Sequence, residues 1–326
     1  LIEQIELTAP ATGPSRLRGP SAGSRNAPGR PGRVLPASDV TRATSIRAMP
    51  VDTLAPLDPV AGLNEAGTMG RGGGSLEPID DVTDPAVREA LSMAIDRPLL
   101  TEIGYGKAGR PTCDWVPGPD VYAADNTYCL EQDIEGANAL LDEAGWTDSD
   151  GDGVRDKDGV ELSLLLQTST NAVRQDFQAL IKQWWGQIGV ETELRNISAS
   201  VFFGGDPGSP DTFQKFYADV EMYANTFNGT DPQSYLGNGL CANAPRPETQ
   251  WQGENISRFC MEEFDALHAE LTQTADMAER QRIGRELSAM MTDNGGMIPL
   301  VHRGRLSAHA NTLGGVVLNV WDSELW

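Results

Sequence analysis

Apolar residues recur at helical spacing in five segments of the chain, most of which carry a start or stop signal. Asp84 can cap the first helix, with Pro85 at its first helical position. Gly145 ends the second helix and Gly189 ends the third. The predicted apolar faces are, in chain order, Val87, Ala90, Leu91, Ala94 and Ile95; Ala137, Leu140, Leu141 and Ala144; Val173, Phe177, Leu180, Ile181, Trp184 and Ile188; Phe264, Leu267 and Leu271; and Ile283, Leu287 and Met290.

Strand patterns alternate with these helices. "LSLLL" (residues 162–166) reads as a buried strand, and "VETEL" (residues 190–194) follows the third helix as the next strand. Further strands are expected in "YADVEMYA" and in "MIPLVHRGRLSAHA". A strand–helix–strand unit followed by mixed elements predicts an α/β domain.

The N-terminal part has a different composition. Residues 1–104 contain no Phe, Tyr or Trp, and eleven of the 27 residues from Pro10 to Pro36 are Gly or Pro. Residues 9–50 hold seven arginines and the single acid Asp39. Such a segment buries too little apolar surface to offset its conformational entropy, so we expect residues 1–75 to be irregular.

The formal net charge of −22 argues against nucleic acid as a partner, because phosphate binding needs clustered Lys and Arg. No run approaches 18 consecutive apolar residues, so no transmembrane helix is expected. "LIEQIELTAP" lacks the pattern of a signal peptide, so the cellular location of the protein has to be inferred from other features.

The three histidines, His268, His302 and His309, form no recognisable metal motif, and no GxSxG, HExxH or P-loop pattern occurs. The sequence therefore predicts no enzyme.

Four cysteines are present, and none belongs to a CxxC pair. Two local disulfides, Cys113–Cys129 and Cys241–Cys260, would close loops rich in Pro and Asn and would indicate an oxidising compartment. Four unrelated buried thiols are the alternative.

The stretch "TDSDGDGVRDKDG" (residues 147–159) resembles a calcium loop. Carboxylates at alternating positions and a Gly at the turn suit a hard cation. The first, third, fifth and seventh ligand positions are Asp148, Asp150, Asp152 and the carbonyl of Val154. Gly159 stands where an EF-hand has its bidentate Glu, so the remaining ligands would come from Asp156, Asp158 or Glu161. Ca²⁺ with a structural role and a plain Asp/Gly turn between helix and strand both remain open.

From about Leu76 onward, six short patterns occur in a fixed order: "DDVTDPAVREALSMAIDR", "GANALLDEAGWTDSDGDGVRDKDGVELSLLL", "ALIKQWWGQIGVETEL", "TDPQSYL", "NISRFCMEEFDALHAEL" and "MIPLVHRGRLSAHA". Together they resemble the family 5 solute-binding proteins of bacterial ABC transporters, the oligopeptide- and dipeptide-binding type. The resemblance implies a periplasmic-binding-protein-like fold of type II, with two α/β lobes around a cleft. Residues 76–300 would form the second lobe and residues 301–326 would return to the first, so the chain would be a fragment.

The start of the chain, "LIEQIEL", is similar to a first-lobe strand of that family. Between it and the matching region the expected first-lobe sequence is absent. Our hypothesis is a reading-frame error from about Thr8 to Ser75, since Arg outnumbers Lys by 21 to 4, as in a GC-rich gene. The alternative is a natural disordered linker. Resequencing the DNA decides between them, because an intact frame excludes the error.

The resemblance also implies a ligand site in "YANTFNGTDPQSYL", residues 223–236. Peptide-binding members carry an aspartate shortly before the "DP" pair that holds the ligand's amino terminus. The corresponding residue is Asn228, and an amide binds hydroxyls or carbonyls as readily as amines. Sugars and other polar solutes therefore stay open beside peptides, as does a mere turn. The expected ligand contacts are Asn225, Thr226, Phe227, Asn228 and Asp231.

By this resemblance the protein is the solute-capturing subunit of an ABC importer. It would be a periplasmic or extracellular monomer, with a lipid tether as one option, and its partners would be a peptide or other polar solute and a membrane permease. A chain that keeps about one lobe is expected to bind solute weakly or not at all. The alternative function is an extracellular calcium-binding accessory module without a transport role.

Overall fold

The computed structural model describes residues 84–304 except 117, 125, 226, 228, 229, 259 and 294–296, together with 310, 312–315 and the backbone of 48–56. Among the expected ligand contacts, Thr226 and Asn228 lie outside the described residues, as does most of the C-terminal segment 301–326.

The predicted helices are confirmed, and side-chain caps begin several of them. Helix α1 (Pro85–Met93) starts at Asp84, whose carboxylate accepts from the Ala86 N–H at 3.0 Å. An unpredicted helix, α2 (Arg97–Gly104), follows directly, and α3 (Ile134–Glu143) comes next. Helix α4 (Ala172–Gly186) is capped by Asn171. These caps satisfy backbone donors that the first helical turn would otherwise leave unpaired.

Shorter and later helices complete the set. They are α5 (Ala199–Phe202), α6 (Gln233–Leu236), α7 (Glu262–Gln273) and α8 (Met277–Asp293). The last two are the helical pair that the sequence pattern predicts. Gly145 and Gly189 have φ values of 87° and 75°, the left-handed conformation that makes Gly a good helix terminator.

Within the described residues, six strands form one mixed sheet. They are β1 (Ala48–Pro56), β2 (Gly109–Pro111), β5 (Ser163–Ser169), β6 (Glu191–Ile197), β7 (Val220–Ala224) and β8 (Ile298–Gly304). The strand order is β2-β8-β1-β7-β5-β6. Strand β5 runs parallel to both β6 and β7, whereas β1 is antiparallel to β7 and β8. A separate hairpin joins β3 (Asp156–Lys157) to β4 (Val160–Glu161).

Strand β1 corrects part of the expectation for residues 1–75. Nine residues of that range form a strand between β7 and β8, where their backbone groups bond to both neighbours. A register shift occurs between Ala48 and Val51, so Pro50 lies at an irregularity where its missing N–H is tolerated. The expected boundary between residues 300 and 301 also falls inside an element, because β8 continues to Gly304.

Apolar side chains pack on both faces of the sheet. The largest cluster joins α1, α3 and α4 to the face of β5 and β7 that carries Leu164, Leu166 and Met222. The opposite face packs against Phe202, Phe216 and Ile256. A third cluster unites α6, α7 and α8 with the loop that carries Trp115 and Tyr122.

One buried cation ties several of these parts together. Arg97 is fully buried and donates to the carbonyl oxygens of Pro299 at 2.8 Å and Cys129 at 2.9 Å. It also donates to the carbonyl and the hydroxyl of Ser92. Burial lowers its pKa to about 10. The guanidinium therefore links the end of α1, the Cys129 loop and β8.

Candidate functional site

The carboxyl ends of three parallel strands meet at one edge of the sheet. Strand β5 ends at Ser169, which pairs in register with Ile197 at the end of β6. On its other side β5 pairs with β7, which ends at Ala224 and leads directly into Asn225. In open α/β sheets, ligands bind in the crevice outside the carboxyl ends of the strands. This edge, from Ser169 to Asn225, is the candidate site.

Aromatic rings line this edge. The ring centroids of Phe213 and Tyr223 lie 5.6 Å apart, and those of Phe203 and Phe213 lie 5.4 Å apart. Phe203 also contacts Phe202 edge-to-face at 4.9 Å. Phe203 and Phe213 are half-buried, so part of each ring faces outward. Such a surface suits the apolar portion of an otherwise polar solute.

A buried arginine lies beside the aromatic rings. Arg174 belongs to the first turn of α4, directly after β5, and its Nη1 donates to the Ser169 hydroxyl at 3.0 Å. Its guanidinium carbon lies 6.0 Å from the centre of the Phe203 ring. The side chain is 6 % exposed. We call the rings of Phe203, Phe213 and Tyr223 the aromatic wall. The Arg174 guanidinium, at the start of α4, contacts both the end of β5 and this aromatic wall.

Two of the expected ligand contacts lie beside this edge. Asn225 is half-buried and directly follows β7. Phe227 is buried, and its ring meets that of Tyr235 edge-to-face at 5.4 Å. The predicted role of both in ligand binding stays a prediction, although β7 does end where the resemblance implied.

Asp231, the remaining described residue of that set, has internal partners. Its carboxylate accepts hydrogen bonds from Arg280 Nε at 3.0 Å and from Arg280 Nη2 at 2.8 Å. The Tyr122 hydroxyl also donates to Asp231 Oδ2, at 3.1 Å. Partial burial raises the pKa of Asp231, but the hydrogen bonds from the Gln233 N–H, Arg280 and Tyr122 together hold it below its usual value. The carboxylate anchors the start of α6 to α8. A ligand would have to compete with these contacts.

The aspartate loop places three carboxylates together at the surface. One oxygen each from Asp148, Asp150 and Asp152 lies within 4.8 Å of the others, and all three residues are exposed. Asp148 accepts from the N–H groups of Gly151 at 2.7 Å and Gly153 at 3.0 Å. These hard oxygen donors are of the type that Ca²⁺ prefers. Calcium binding stays a prediction.

The other two expected loop ligands differ in their surroundings. Asp156 accepts from the hydroxyl and the N–H of Ser149, at 2.6 and 3.0 Å, and these bonds lower the pKa of Asp156. The N–H of Val154 donates to Asp152 Oδ1 at 2.8 Å. Next to Val154, Arg155 donates to the Ile188 carbonyl at 2.9 Å and pairs with Asp142. The loop therefore joins the ends of α3 and α4, a structural task that needs no metal.

Both predicted disulfides are confirmed. Cys113 pairs with Cys129, with Cα atoms 5.8 Å apart, and Cys241 pairs with Cys260, with Cα atoms 4.7 Å apart. The first is buried, whereas Cys260 is exposed. Paired cysteines are typical of proteins that function in oxidising compartments.

Several residues of this edge were not singled out from the sequence. Ser169, Arg174, Phe203 and Phe213 lie outside the stretch 223–236 in which the resemblance implied a site, whereas Tyr223 is the first residue of that stretch. The available signal was the strand–helix junction after "LSLLL", since carboxyl ends of parallel strands are where sites form. Within the described part of the chain, none of the helices combines the length and apolar character needed to cross a membrane.

Comparisons with known proteins agree with this fold. The sequence profile of the bacterial extracellular solute-binding proteins, family 5 Middle, matches residues 71–244. The oligopeptide-binding protein AppA of Bacillus subtilis is 31% identical over 122 residues, covering 36% of this chain and 22% of the relative. The glutathione-binding protein GsiB of Salmonella typhimurium is 26% identical over 233 residues, covering 71% of this chain and 42% of the relative.

Solved structures show the same architecture. The nonapeptide complex of Bacillus subtilis AppA superposes with a TM-score of 0.62 at 19% identity, covering 82% of this chain and 49% of that one. The oligopeptide-binding protein of Thermus thermophilus, in complex with a pentapeptide, gives 0.63 at 20% identity, with 79% and 43% covered.

The chain spans less than half the length of these relatives. The fold is that of type II periplasmic binding proteins, as the sequence resemblance implied. Because the profile covers more than half of the chain, the resemblance is confirmed at the level of the family. This protein belongs to the family 5 extracellular solute-binding proteins of bacteria.

Proposed function

We propose that this chain is part of the solute-capturing subunit of an ABC importer and binds a peptide or another polar solute. The observation that carries the proposal is the edge formed by the carboxyl ends of β5, β6 and β7. There a cationic side chain, an amide and a partly exposed aromatic wall lie together, in Arg174, Asn225, Phe203 and Phe213. Such a mixture suits a solute with both polar and apolar groups.

Relatives of this chain favour a peptide as the solute. Two of them are described as oligopeptide-binding and glutathione-binding proteins, and both solved structures named above hold peptides. The amide of Asn225 can both donate to and accept from a peptide group. The same amide would also bind sugar hydroxyls, so oligosaccharides are the second class to test.

Capture would take place between this lobe and the remainder of the protein. A solute that contacts both lobes stabilises the closed arrangement, which a membrane permease can recognise. We propose a monomer in the periplasm or at the outer face of the membrane, with or without a lipid tether. We expect no catalysis, because capture and release need no covalent step.

Ca²⁺ is proposed only as a structural ligand of the aspartate loop, supported by the carboxylate oxygens of Asp148, Asp150 and Asp152 within 4.8 Å of one another. A calcium-binding accessory module without a transport role gains no support from the family relationship, which concerns solute binding.

Thermal shift tests the main proposal. This chain and a version with a restored first lobe would be screened against pentapeptides, a nonapeptide, glutathione and oligosaccharides. We expect peptides to raise the Tm of the restored protein by several degrees and that of this chain little, since half of the contacts are missing. An Asn225→Ala variant of the restored protein should lose most of the shift. If neither protein is stabilised by any of these solutes while both remain folded, the proposal is wrong.

A further inference from the structure

The segment that carries Phe213 of the aromatic wall is irregular. Helix α5 ends at Phe202 and strand β7 begins at Val220, and the described residues between them belong to no helix or strand. The Phe213 N–H donates to the Phe202 carbonyl at 2.8 Å, but no sheet ladder fixes the residues that follow. The ring therefore keeps its place only if contacts from elsewhere in the chain hold this backbone.

Arg258 supplies such contacts to the two residues directly after Phe213. Its Nη2 donates to the carbonyl oxygens of Gln214 at 3.0 Å and Lys215 at 3.2 Å. Its Nη1 donates to the Ile256 carbonyl at 3.1 Å, and the side chain is 5 % exposed. Buried carbonyl groups need donors, and one planar guanidinium serves several of them in a fixed geometry.

The loop that carries Arg258 is itself held in place. The Cys241–Cys260 disulfide closes the loop, and Ile256, which is 2 % exposed, packs in the same apolar cluster as Tyr223. Arg258 has a φ of 55°, which is uncommon for a residue with a long side chain and persists only where surrounding contacts hold it. The guanidinium is therefore presented from a fixed position.

Two further contacts join this loop to the same segment. The Gln214 side chain donates to the Gly253 carbonyl at 3.3 Å, and the Lys215 ammonium lies 5.4 Å from the centre of the Trp251 ring. The loop thus holds the segment through side chains of both partners, and Arg258 makes the contacts to its backbone.

We propose that Arg258 is a positioning residue for the aromatic wall. Because it is buried, it acts through Phe213 rather than by contact with the solute: it fixes the backbone beside Phe213, and the ring then binds the apolar portion of the solute. A solute without apolar side chains makes little use of this wall. The inference rests on the proposed function and deepens it, since it assigns the preference for apolar side chains to one arginine.

Calorimetry on the protein with a restored first lobe tests the inference, using two pentapeptides of equal charge, one rich in Leu and one of Gly and Ser. Arg258→Met should bind the Leu-rich peptide about tenfold more weakly and the Gly/Ser peptide about as well as the parent. Arg155→Met is the matched control. Arg155 is also a buried arginine that donates to a backbone carbonyl, that of Ile188 at 2.9 Å, and it lies at the far end of α4 from the candidate site. This control should lower the Tm and leave both affinities unchanged.

A probe that needs no solute separates the inference from the function. With para-fluorophenylalanine in place of Phe213, the fluorine NMR signal should move in Arg258→Met and in Arg258→Lys, and should stay unchanged in Arg155→Met. A lysine ammonium cannot serve both carbonyl groups in the geometry of a guanidinium, so Arg258→Lys carries both measurements if Arg258→Met fails to fold.

The outcomes are distinct. If the parent binds no peptide but the fluorine signal moves as expected, the proposed function fails and the positioning role stands. If the parent binds peptide and the folded Arg258 variants keep both the signal and the preference for the Leu-rich peptide, the inference is wrong and the function stands. An equal loss of affinity for both peptides would also overturn the inference, because it would show a general structural role.

Discussion

Asp231 and Arg280 form a two-point ion pair, with Arg280 Nη2 2.8 Å from Asp231 Oδ1 and Nε 3.0 Å from Oδ2. The two residues are 49 positions apart along the chain, and the pair joins the segment before α6 to helix α8. The Arg280 side chain is 13 % exposed and that of Asp231 is 40 % exposed. The contact is therefore partly shielded from solvent and stabilises the fold more than a fully exposed pair would.

Asp231→Ala should lower the free energy of unfolding by about 1–2 kcal/mol, because Arg280 and the Tyr122 hydroxyl lose their shared acceptor. Chemical denaturation measures this change. A double-mutant cycle with Arg280→Ala isolates the coupling between the two residues. A coupling near zero, or a variant that loses solute binding at unchanged stability, would instead favour the ligand role that the sequence suggested for Asp231.

Glu221 predicts a pH dependence of stability. It is fully buried on β7 beside Gln167 of β5, whose Nε2 donates to Glu221 Oε1 at 2.8 Å. Burial raises the pKa of Glu221 well above its usual value of 4.5, and the Gln167 hydrogen bond and the charges of Arg258 and Arg195 offset only part of that effect. The folded state therefore holds a proton on Glu221 more tightly than the unfolded state does, so protonation of this carboxyl stabilises the fold.

The sign of this effect follows from linkage. The stabilising contribution of Glu221 is fully present below its unfolded pKa of 4.5 and is lost as the pH rises toward the folded pKa. Over that window the free energy of unfolding should fall by about 1.4 kcal/mol per pH unit. Glu221→Gln should remove this slope, whereas Glu263→Gln on the exposed start of α7 should keep it. Parallel pH profiles for the parent and Glu221→Gln would contradict the prediction.

The two disulfides should differ in their accessibility to reductant. Cys113 and Cys129 are 1 % and 6 % exposed, whereas Cys260 is exposed. Under a mild thiol reductant followed by alkylation, mass spectrometry should find label on Cys241 and Cys260 first. Each bridge closes a loop of similar size, so replacing either pair with Ser should destabilise the fold by about 3 kcal/mol. Equal labelling of all four cysteines in the folded protein would refute the ordering.

Calcium should raise the Tm of the parent by a few degrees and a chelator should reverse the shift, because an ion bound only to the folded loop stabilises it. Asp148→Asn should abolish the effect. Asp176→Asn is the matched control, since Asp176 is an exposed carboxylate on α4, outside the aspartate loop. An equal shift in the parent and in Asp148→Asn would show that the loop does not bind the ion.

The sequence by itself determined the local architecture. Helix spacing, capping residues and stop glycines were enough for the five predicted helices, because these signals act over three or four positions. The strand–helix–strand unit around "LSLLL" and both loop-closing disulfides were equally readable. Helix α2 was missed because it is short and only three residues separate it from the end of α1.

Only the tertiary structure decided which of these residues meet. The insertion of β1 between β7 and β8, the pairing of Asp231 with Arg280 and the approach of Trp115 to Tyr235 all join segments that no periodicity relates. Asp231 illustrates the difference: its sequence position suggested a ligand contact, and a guanidinium from a distant helix occupies its carboxylate. Local patterns report the preferences of neighbouring residues, whereas long-range contacts depend on the path of the whole chain.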